Sequence, residues 1–412
     1  MKTRRLLCTI LLSMLAGLFP QNDGVAAEDG TFTFNRARSS VTLPIHVRNN
    51  LAVVSLYIND RGPFYFILDT GVNTTILTEP VIAHLLGLNL EESILIYGLG
   101  GEGIVEAALA RGVNFSMRGI TGHNMNMVVI PDNILSFSEV FGFPVYGIIG
   151  YDFLKNFPVE ISYAARTMKV YREPDYRIHR RSKVLPFRLI NGKPYLQSKV
   201  IGTNGDTLRT HLLVDLGASH PLYLNKQYID LSDRTIAGFL GKGISGNLLG
   251  KMGRVEKLIM GDTYVKNPIV SYPDGEFLEF HGQSITWEGI IGGGIIKRYD
   301  VIIDYPSEQM VLRRSQYYSQ PFNTSLSGIE VVARGPHMRE FVVHYVRPGS
   351  AGYEAGILSG DRIVALNAKS RHQIVLEDIL DVLSGGEGRR ISMVLMRDQE
   401  VLRKSFRLRE DL

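Results

Sequence analysis

The 412-residue sequence has one cysteine and one tryptophan, and charge of neither sign dominates it. Cys8 stands near the start of the chain, so no disulfide can close within it. Around it, Lys2, Arg4 and Arg5 lead into the apolar stretch Leu6 to Phe19, and Val25, Ala26 and Ala27 follow. A basic start, a short apolar run and small residues at the exit read as a secretory signal peptide over 1–27. The run is shorter than the ~20 residues a membrane span needs, which disfavours an anchor. A lipid-attachment cysteine would follow such a run rather than open it. Cleavage after Ala27 leaves no cysteine at all, hence no thiol nucleophile and no Cys-based metal site. Export without disulfides fits a bacterial periplasm or exterior better than a eukaryotic lumen. Whether the exported chain is free or membrane-associated stays open.

With 45 basic and 41 acidic residues the formal charge is +4, and it falls to +2 once residues 1–27, with three bases and one acid, are removed. No long basic run is present, so nucleic acid is not an expected partner. The densest basic patch, Arg177 to Lys183, reads as a solvated linker. His-Glu-x-x-His and Gly-x-Ser-x-Gly are both missing, and neither a metal nor an organic cofactor is implied. Gly98-Leu-Gly-Gly-Glu-Gly103 fits a dinucleotide-binding string, but the acid expected ~20 residues further on is not there.

Against these absences stand two acid triplets, Asp69-Thr70-Gly71 and Asp215-Leu216-Gly217. Each follows an apolar run and precedes small or polar residues, then Ile76-Leu77 or Leu222-Tyr-Leu224. A carboxylate at the end of a buried strand loses its hydration, and only hydrogen bonds or a proton shared with a neighbour compensate. Two such places in one chain predict two carboxylates brought face to face.

The duplication runs further than the triplets. Gly147-Ile-Ile-Gly-Tyr-Asp-Phe-Leu aligns without a gap on Gly289-Ile-Ile-Gly-Gly-Gly-Ile-Ile, through to Tyr163 and Tyr305. Upstream, Leu43-Pro-Ile-His-Val47 matches Leu185-Pro-Phe-Arg-Leu189. A repeat this long reads as two homologous lobes, expected over 31–174 and 183–314. Short alternating strands between turns rich in Gly, Asn and Pro argue an all-β body. A brief helix is expected over Glu79 to Leu86, with Thr78 as its N-cap.

Asp69-Thr-Gly-Val-Asn-Thr-Thr-Ile-Leu77, a Gly-rich segment and Ile148-Ile-Gly-Tyr-Asp-Phe-Leu154 resemble the pepsin and retropepsin class of aspartic proteases. The resemblance covers roughly residues 40–313. It implies a mainly β protein of two homologous pepsin-like or retropepsin-like β-barrel lobes, with Asp69 and Asp215 as the catalytic pair. It also implies that Thr70, Gly71, Leu216 and Gly217 support the active-site loops. Gly98, Gly100, Gly101 and Gly103 fall in the slot of the flap hairpin that folds over substrate, and Gly238 to Gly243 is the counterpart in the second half. In that class a hydroxyl after each aspartate cross-links the two loops. Thr70 supplies one; Leu216 has none, and Asp152 faces Gly294, so the halves are unequal. His220, near the second triplet, reads as a structural neighbour rather than a base.

The last part of the chain differs. Arg313 to Thr324 is polar and reads as a flexible connector. Beyond it, Pro348-Gly-Ser-Ala351, Ala355-Gly-Ile357 and Gly360-Asp-Arg-Ile363 resemble a PDZ domain, α+β, expected over 325–412. Leu376, Ile379, Leu380 and Leu383 follow at helical spacing. The resemblance implies that a peptide C-terminus is taken as an added strand. Gly328, Ile329 and Val331 would hold it, although Glu330 replaces the usual second glycine.

Two carboxylates a few ångströms apart cannot both ionise, so they share a proton and titrate as a pair. The ionised member activates a water and the protonated one polarises the scissile carbonyl. The reading is an exported aspartic endopeptidase acting on an extended polypeptide, with a PDZ domain for recruiting a substrate or partner. Two rivals stand beside it. One is a catalytically degenerate peptide-binding protein that keeps the clamp; the other is a structural envelope protein without an open cleft.

Overall fold

Runs of β-branched and aromatic residues between Asn-, Asp- and Gly-bearing turns form strands throughout, and the protein is mainly β. The computed structural model describes residues 30–97, 104–130, 135–172, 176–243, 246–274 and 288–412. The signal peptide expected over 1–27 and the flap glycines Gly98, Gly100, Gly101 and Gly103 lie outside the described residues. Among the described residues, no helix is long and apolar enough to cross a membrane.

A nine-stranded sheet is built from residues between Phe32 and Ile149, and a ten-stranded sheet from residues between Arg188 and Ile291. A third sheet of six strands joins the two halves. Its order is Lys183–Pro186, Gln309–Arg314, Tyr299–Asp304, Pro158–Ser162, Thr167–Tyr171, Ser40–Pro44. At its centre Val159 pairs with Ile303 and Ile161 with Val301, so the halves share a backbone ladder rather than only side-chain contacts. One buried apolar cluster runs through both halves.

Each half also carries a two-residue hairpin whose tip enters the other half. The first joins His46–Arg48 to Leu51–Ile58 through Asn49 (φ 52°) and Asn50 (φ 63°). The second joins Arg188–Ile190 to Lys193–Ile201 through Asn191 (φ 51°) and Gly192 (φ 73°). Two consecutive left-handed residues suit the right-handed twist of the flanking strands, and Asn and Gly tolerate that backbone best. Asn50 Nδ2 donates to the Ser219 carbonyl at 2.8 Å. A side chain on Gly192 would come within 3.1 Å of Asn73 Oδ1 and of the Tyr151 ring.

The expected helix near 79–86 spans Pro80–Leu85, with Glu79 at its N-cap and no side-chain capping bond. Thr78 does not cap it, because its hydroxyl donates to the Tyr146 carbonyl at 3.0 Å.

The C-terminal domain forms its own sheet in the order Ile329–Arg334, Glu340–Val346, Arg362–Leu366, Arg390–Arg397, Glu400–Arg407. The helix Leu376–Leu383 buries Leu376, Ile379, Leu380 and Leu383 against it, as their spacing predicts. The segment before this domain is not the flexible connector its polarity predicts. The buried Arg298 guanidinium donates to the Tyr318 carbonyl at 3.0 Å and to the carbonyls of Tyr317 and Gln320. It also stacks 3.4 Å from the Phe322 ring centroid. A polar sequence here reflects backbone groups captured by one arginine, not solvation.

The domain is docked on both halves. The short helix Phe137–Phe141 packs against the strand Ile329–Arg334, and their apolar residues share one buried cluster. Glu139 pairs with Arg334 at 3.1 Å, and Arg48 with Glu377 at 3.1 Å. From the other half, Phe239 packs its ring against His344 and Tyr345.

Candidate active site

Both triplets sit at the end of a strand that is clamped in the same way. Gly147–Ile149 runs parallel to the end of Arg61–Leu68, with Ile149 beside Leu68, and antiparallel to Ile76–Leu77. Gly289–Ile291 runs parallel to the end of Thr207–Val214, with Ile291 beside Val214, and antiparallel to Leu222–Leu224. The amide of Asp69 donates to the Ile149 carbonyl at 3.0 Å, and that of Asp215 to the Ile291 carbonyl at 2.9 Å. The duplicated Gly-Ile-Ile motif therefore holds each aspartate at the same point of its loop.

The two carboxyl groups meet. Both aspartates are fully buried. Asp69 Oδ1 accepts the Gly71 amide at 2.6 Å, and Asp215 Oδ1 accepts the Gly217 amide at 2.8 Å. A side chain on Gly217 would overlap the Asp69 carboxylate. One on Gly71 would come within 3.0 Å of Asp69 Oδ1 and 3.3 Å of Asp215 Oδ2. The loop at Gly217 thus needs a glycine because the other half's acid occupies the space of its side chain, while the loop at Gly71 leaves only a tight fit beside both acids.

Electrostatics follow from that packing. The Asp69 carboxyl is raised well above its usual range, first by burial, then by the Asp215 charge and a hydrogen bond with it. The amide of Gly71 and the Lys193 charge pull the other way. The site holds one proton between two acids more readily than two negative charges.

The loop-supporting residues are unequal, as their sequence predicts. Thr70 Oγ1 donates to the Val214 carbonyl at 2.6 Å and accepts the Leu216 amide at 3.0 Å. Leu216 is fully buried in the apolar cluster that spans both halves. Asp152 Oδ2 accepts both the amide of Thr75 (2.7 Å) and its hydroxyl (2.6 Å), bracing the first loop. Gly294 has no such group, and Pro221 fills the corresponding space. His220 is buried, stacks on Tyr223, and shares a 2.5 Å hydrogen bond with Ser271 through Nδ1. Burial pushes it down to about 3, so it is a neutral structural neighbour.

Three residues stand beside the pair without the motifs assigning them a place there. Tyr163 and Tyr305, the duplicated tyrosines at the ends of the aligned segments, are buried and pushed upward by burial and by the aspartates' charge. Lys193 is 6% exposed although it is a lysine at the start of a strand. A lysine after an Asn-Gly turn reads as solvated, so only the alignment of the two hairpins could have singled it out. Among the described residues, no group of three or more His, Cys, Asp or Glu is placed to hold a metal ion.

Residues 54–153, which include Asp69 and its clamp, match the aspartyl protease family, and residues 342–397 match the PDZ domain family. The chain carries an aspartyl protease-like domain and a PDZ domain. No match to it is found among curated proteins. Asp215 lies outside both matched segments, so its place in the site rests on the geometry above.

In the PDZ domain, Gly328 adopts φ 68°, where a side chain would overlap Ser350. Ile329 and Val331 are fully buried, so neither side chain is available to a peptide. What the strand Ile329–Arg334 offers is its backbone, as the edge of its sheet. The protease helix Phe137–Phe141 packs on that strand, and Gly142 after it closes on Leu376 at the start of the PDZ helix. A separate cavity between the PDZ domain and the second half is lined by His220, Phe239, Gly328, Glu330 and Arg347, and includes neither aspartate.

Proposed function

We propose that the protein is an exported aspartic endopeptidase that hydrolyses peptide bonds through a water activated by Asp69 and Asp215. In this reading residues 1–27 are a signal peptide and the chain works in a bacterial periplasm or exterior. Two protease lobes, 31–174 and 183–314, precede a PDZ domain over 325–412. The observation that carries the proposal is the glycine pair. Gly217 leaves room for the opposite lobe's Asp69 carboxylate and Gly71 lies beside both acids, so two carboxyl groups from distant parts of the chain meet at one buried point.

Chemistry follows from the shared proton. The ionised carboxylate takes a proton from a water held between the two, and the protonated one donates to the oxygen of the scissile carbonyl. Collapse of the tetrahedral intermediate returns a proton to the leaving nitrogen. Burial of both acids keeps these interactions strong, since little water screens them. The substrate is a polypeptide in an extended conformation, and the PDZ domain supports recruitment of a substrate or partner peptide. No nucleic acid, metal or organic cofactor enters.

A digest of a diverse peptide library by the purified protein, from acid to neutral pH, tests this, with Asp69→Asn as control. Cleavage that disappears in the control supports the proposal. Leu216 favours one rival, a peptide-binding protein that keeps the clamp without the chemistry. Uncut peptides that nevertheless bind would select it.

A further inference from the structure

The two hairpins that cross between the lobes differ at one position, and the difference lies at the acids. In the first lobe Val53 pairs with Ile67, so two residues further along Leu51 stands across from Asp69. In the second, Tyr195 pairs with Leu213, so Lys193 stands across from Asp215. Leu51 and Lys193 both follow a left-handed two-residue tip, and both are buried. The Lys193 tip is seated in the opposite lobe, where Gly192 meets Asn73 and Tyr151 just beyond the Asp69 triplet. A cation is therefore placed in the seam where the duplicated fold elsewhere puts a methyl group.

Building on the proposed protease activity, we infer that Lys193 is a positioning residue of the site. Its ammonium balances the single negative charge of the aspartate pair and holds that charge on Asp215, leaving the proton on Asp69. Asp215 is then the member that activates water, and Asp69 the one that donates to the carbonyl.

The surroundings agree with this role. Lys193 is pushed down to about 8 by burial, while Asp215 first and Asp69 second pull it back up. It is thus charged across the acid and neutral range. The other titratable groups around the pair do not compete: Tyr163, Tyr195, Tyr223 and Tyr305 are all raised and stay neutral. His220, down at about 3, carries no charge there either. A nearby positive charge favours the singly ionised pair over the fully protonated one, so Lys193 extends the active form to lower pH.

Burial also fixes the sign of the stability effect. The lysine holds its proton less tightly in the folded chain than in the unfolded one, whose value is near 10.5. Below about pH 8 the folded state carries an unfavourable buried charge, and stability rises as pH climbs from there toward 10.5. A purely structural ion pair would behave in the opposite way.

The experiment uses the full chain with Lys193→Met, Lys193→Arg and Lys193→Leu, the last restoring the residue of the first lobe. Three readouts are taken: the pH profile of kcat/KM, the melting temperature against pH, and the pH dependence of affinity for a peptide carrying a secondary hydroxyl in place of the scissile amide. Lys193→Met and Lys193→Leu should move the acid limb of the rate and affinity profiles upward by about 1 pH unit or more. They should also melt higher than the parent below pH 8. Lys193→Arg, which keeps the charge, should leave the acid limb in place. Asp69→Asn, which mimics a protonated Asp69, should retain the hydroxyl peptide better than Asp215→Asn, and Lys193→Met should erase that difference. Limbs that coincide with the parent's, or neutral variants that melt lower, overturn the inference. If the parent cuts no peptide, the proposed activity fails, but melting and hydroxyl-peptide affinity still decide the role of Lys193.

Discussion

The Thr70 hydroxyl accepts the Leu216 amide at 3.0 Å and gives its own proton to the Val214 carbonyl, while Leu216 turns a wholly apolar side chain into the core. The cross-link between the two acid loops is therefore carried from one side. Thr70→Val keeps the shape and strands a buried amide and a buried carbonyl, so it should cost roughly 2 kcal/mol or more of stability. Leu216→Thr would place a hydroxyl among apolar neighbours and remove buried methyl groups. A loss of about 1–2 kcal/mol is expected, not a gain. Urea unfolding of both variants checks the pair of predictions.

Burial of Asp69 makes a pH-dependent prediction. Its folded value lies well above the ordinary 3.8, so the folded chain binds a proton that the unfolded chain releases. Stability contributed by this group is present below about pH 4 and is lost as pH rises through the raised value. Asp69→Asn removes the charge and keeps the shape. The variant should melt higher than the parent at pH 7 and nearly the same at pH 3.5, while peptide cleavage is abolished. Calorimetry at the two pH values reads the difference directly.

Glycine at 217 is predicted to be the stricter of the two loop glycines. A methyl there would overlap the Asp69 carboxylate, whereas one at Gly71 stands 3.0 Å from its nearest atom. Gly217→Ala should lose cleavage by ~100-fold or more, because small displacements of reacting groups are that costly. Gly71→Ala should lose less. Steady-state kinetics on one peptide, with circular dichroism to verify the fold, ranks them.

Much of this site was legible in the sequence, because a strand that ends in a buried acid and a glycine leaves a short motif, and duplication prints it twice. Asp69, Asp215, the glycines after them and the Gly-Ile-Ile clamps all carry that mark. What was not legible depends on surfaces that meet across distant parts of the chain. Phe137, Val140 and Phe141 are apolar residues without strong periodicity, and nothing local says that they cover a PDZ strand. Arg298 gathers the connector's carbonyls, an arrangement that a polar composition hides. Lys193 follows a turn of the kind that usually projects into solvent; only the partner lobe makes it a buried residue.

Docking of the PDZ domain gives a further prediction. A chain truncated near Arg314 loses the cover over Phe137, Val140 and Phe141, which become an exposed apolar patch. It should melt lower than the full chain and aggregate, rather than behave as a self-sufficient protease. A milder lesion is Gly142→Val. Gly142 has φ 71°, and a side chain there meets Leu376 within 2.8 Å. That variant should loosen the docked domain without unfolding either part. Limited proteolysis between residues 315 and 328 should be faster than in the parent.

The six-stranded sheet has a consequence in time. Val159 finds Ile303 only after 144 intervening residue steps of chain have been made and brought back. Such distant pairing is slow, since the loop must close before its contacts repay the entropy. Until then Asp69 sits in a half without its counterpart, and the strands Pro158–Ser162 and Tyr299–Asp304 lack each other. On the proposed reading, cleavage waits for that closure, because the second acid joins the first only when the two halves meet.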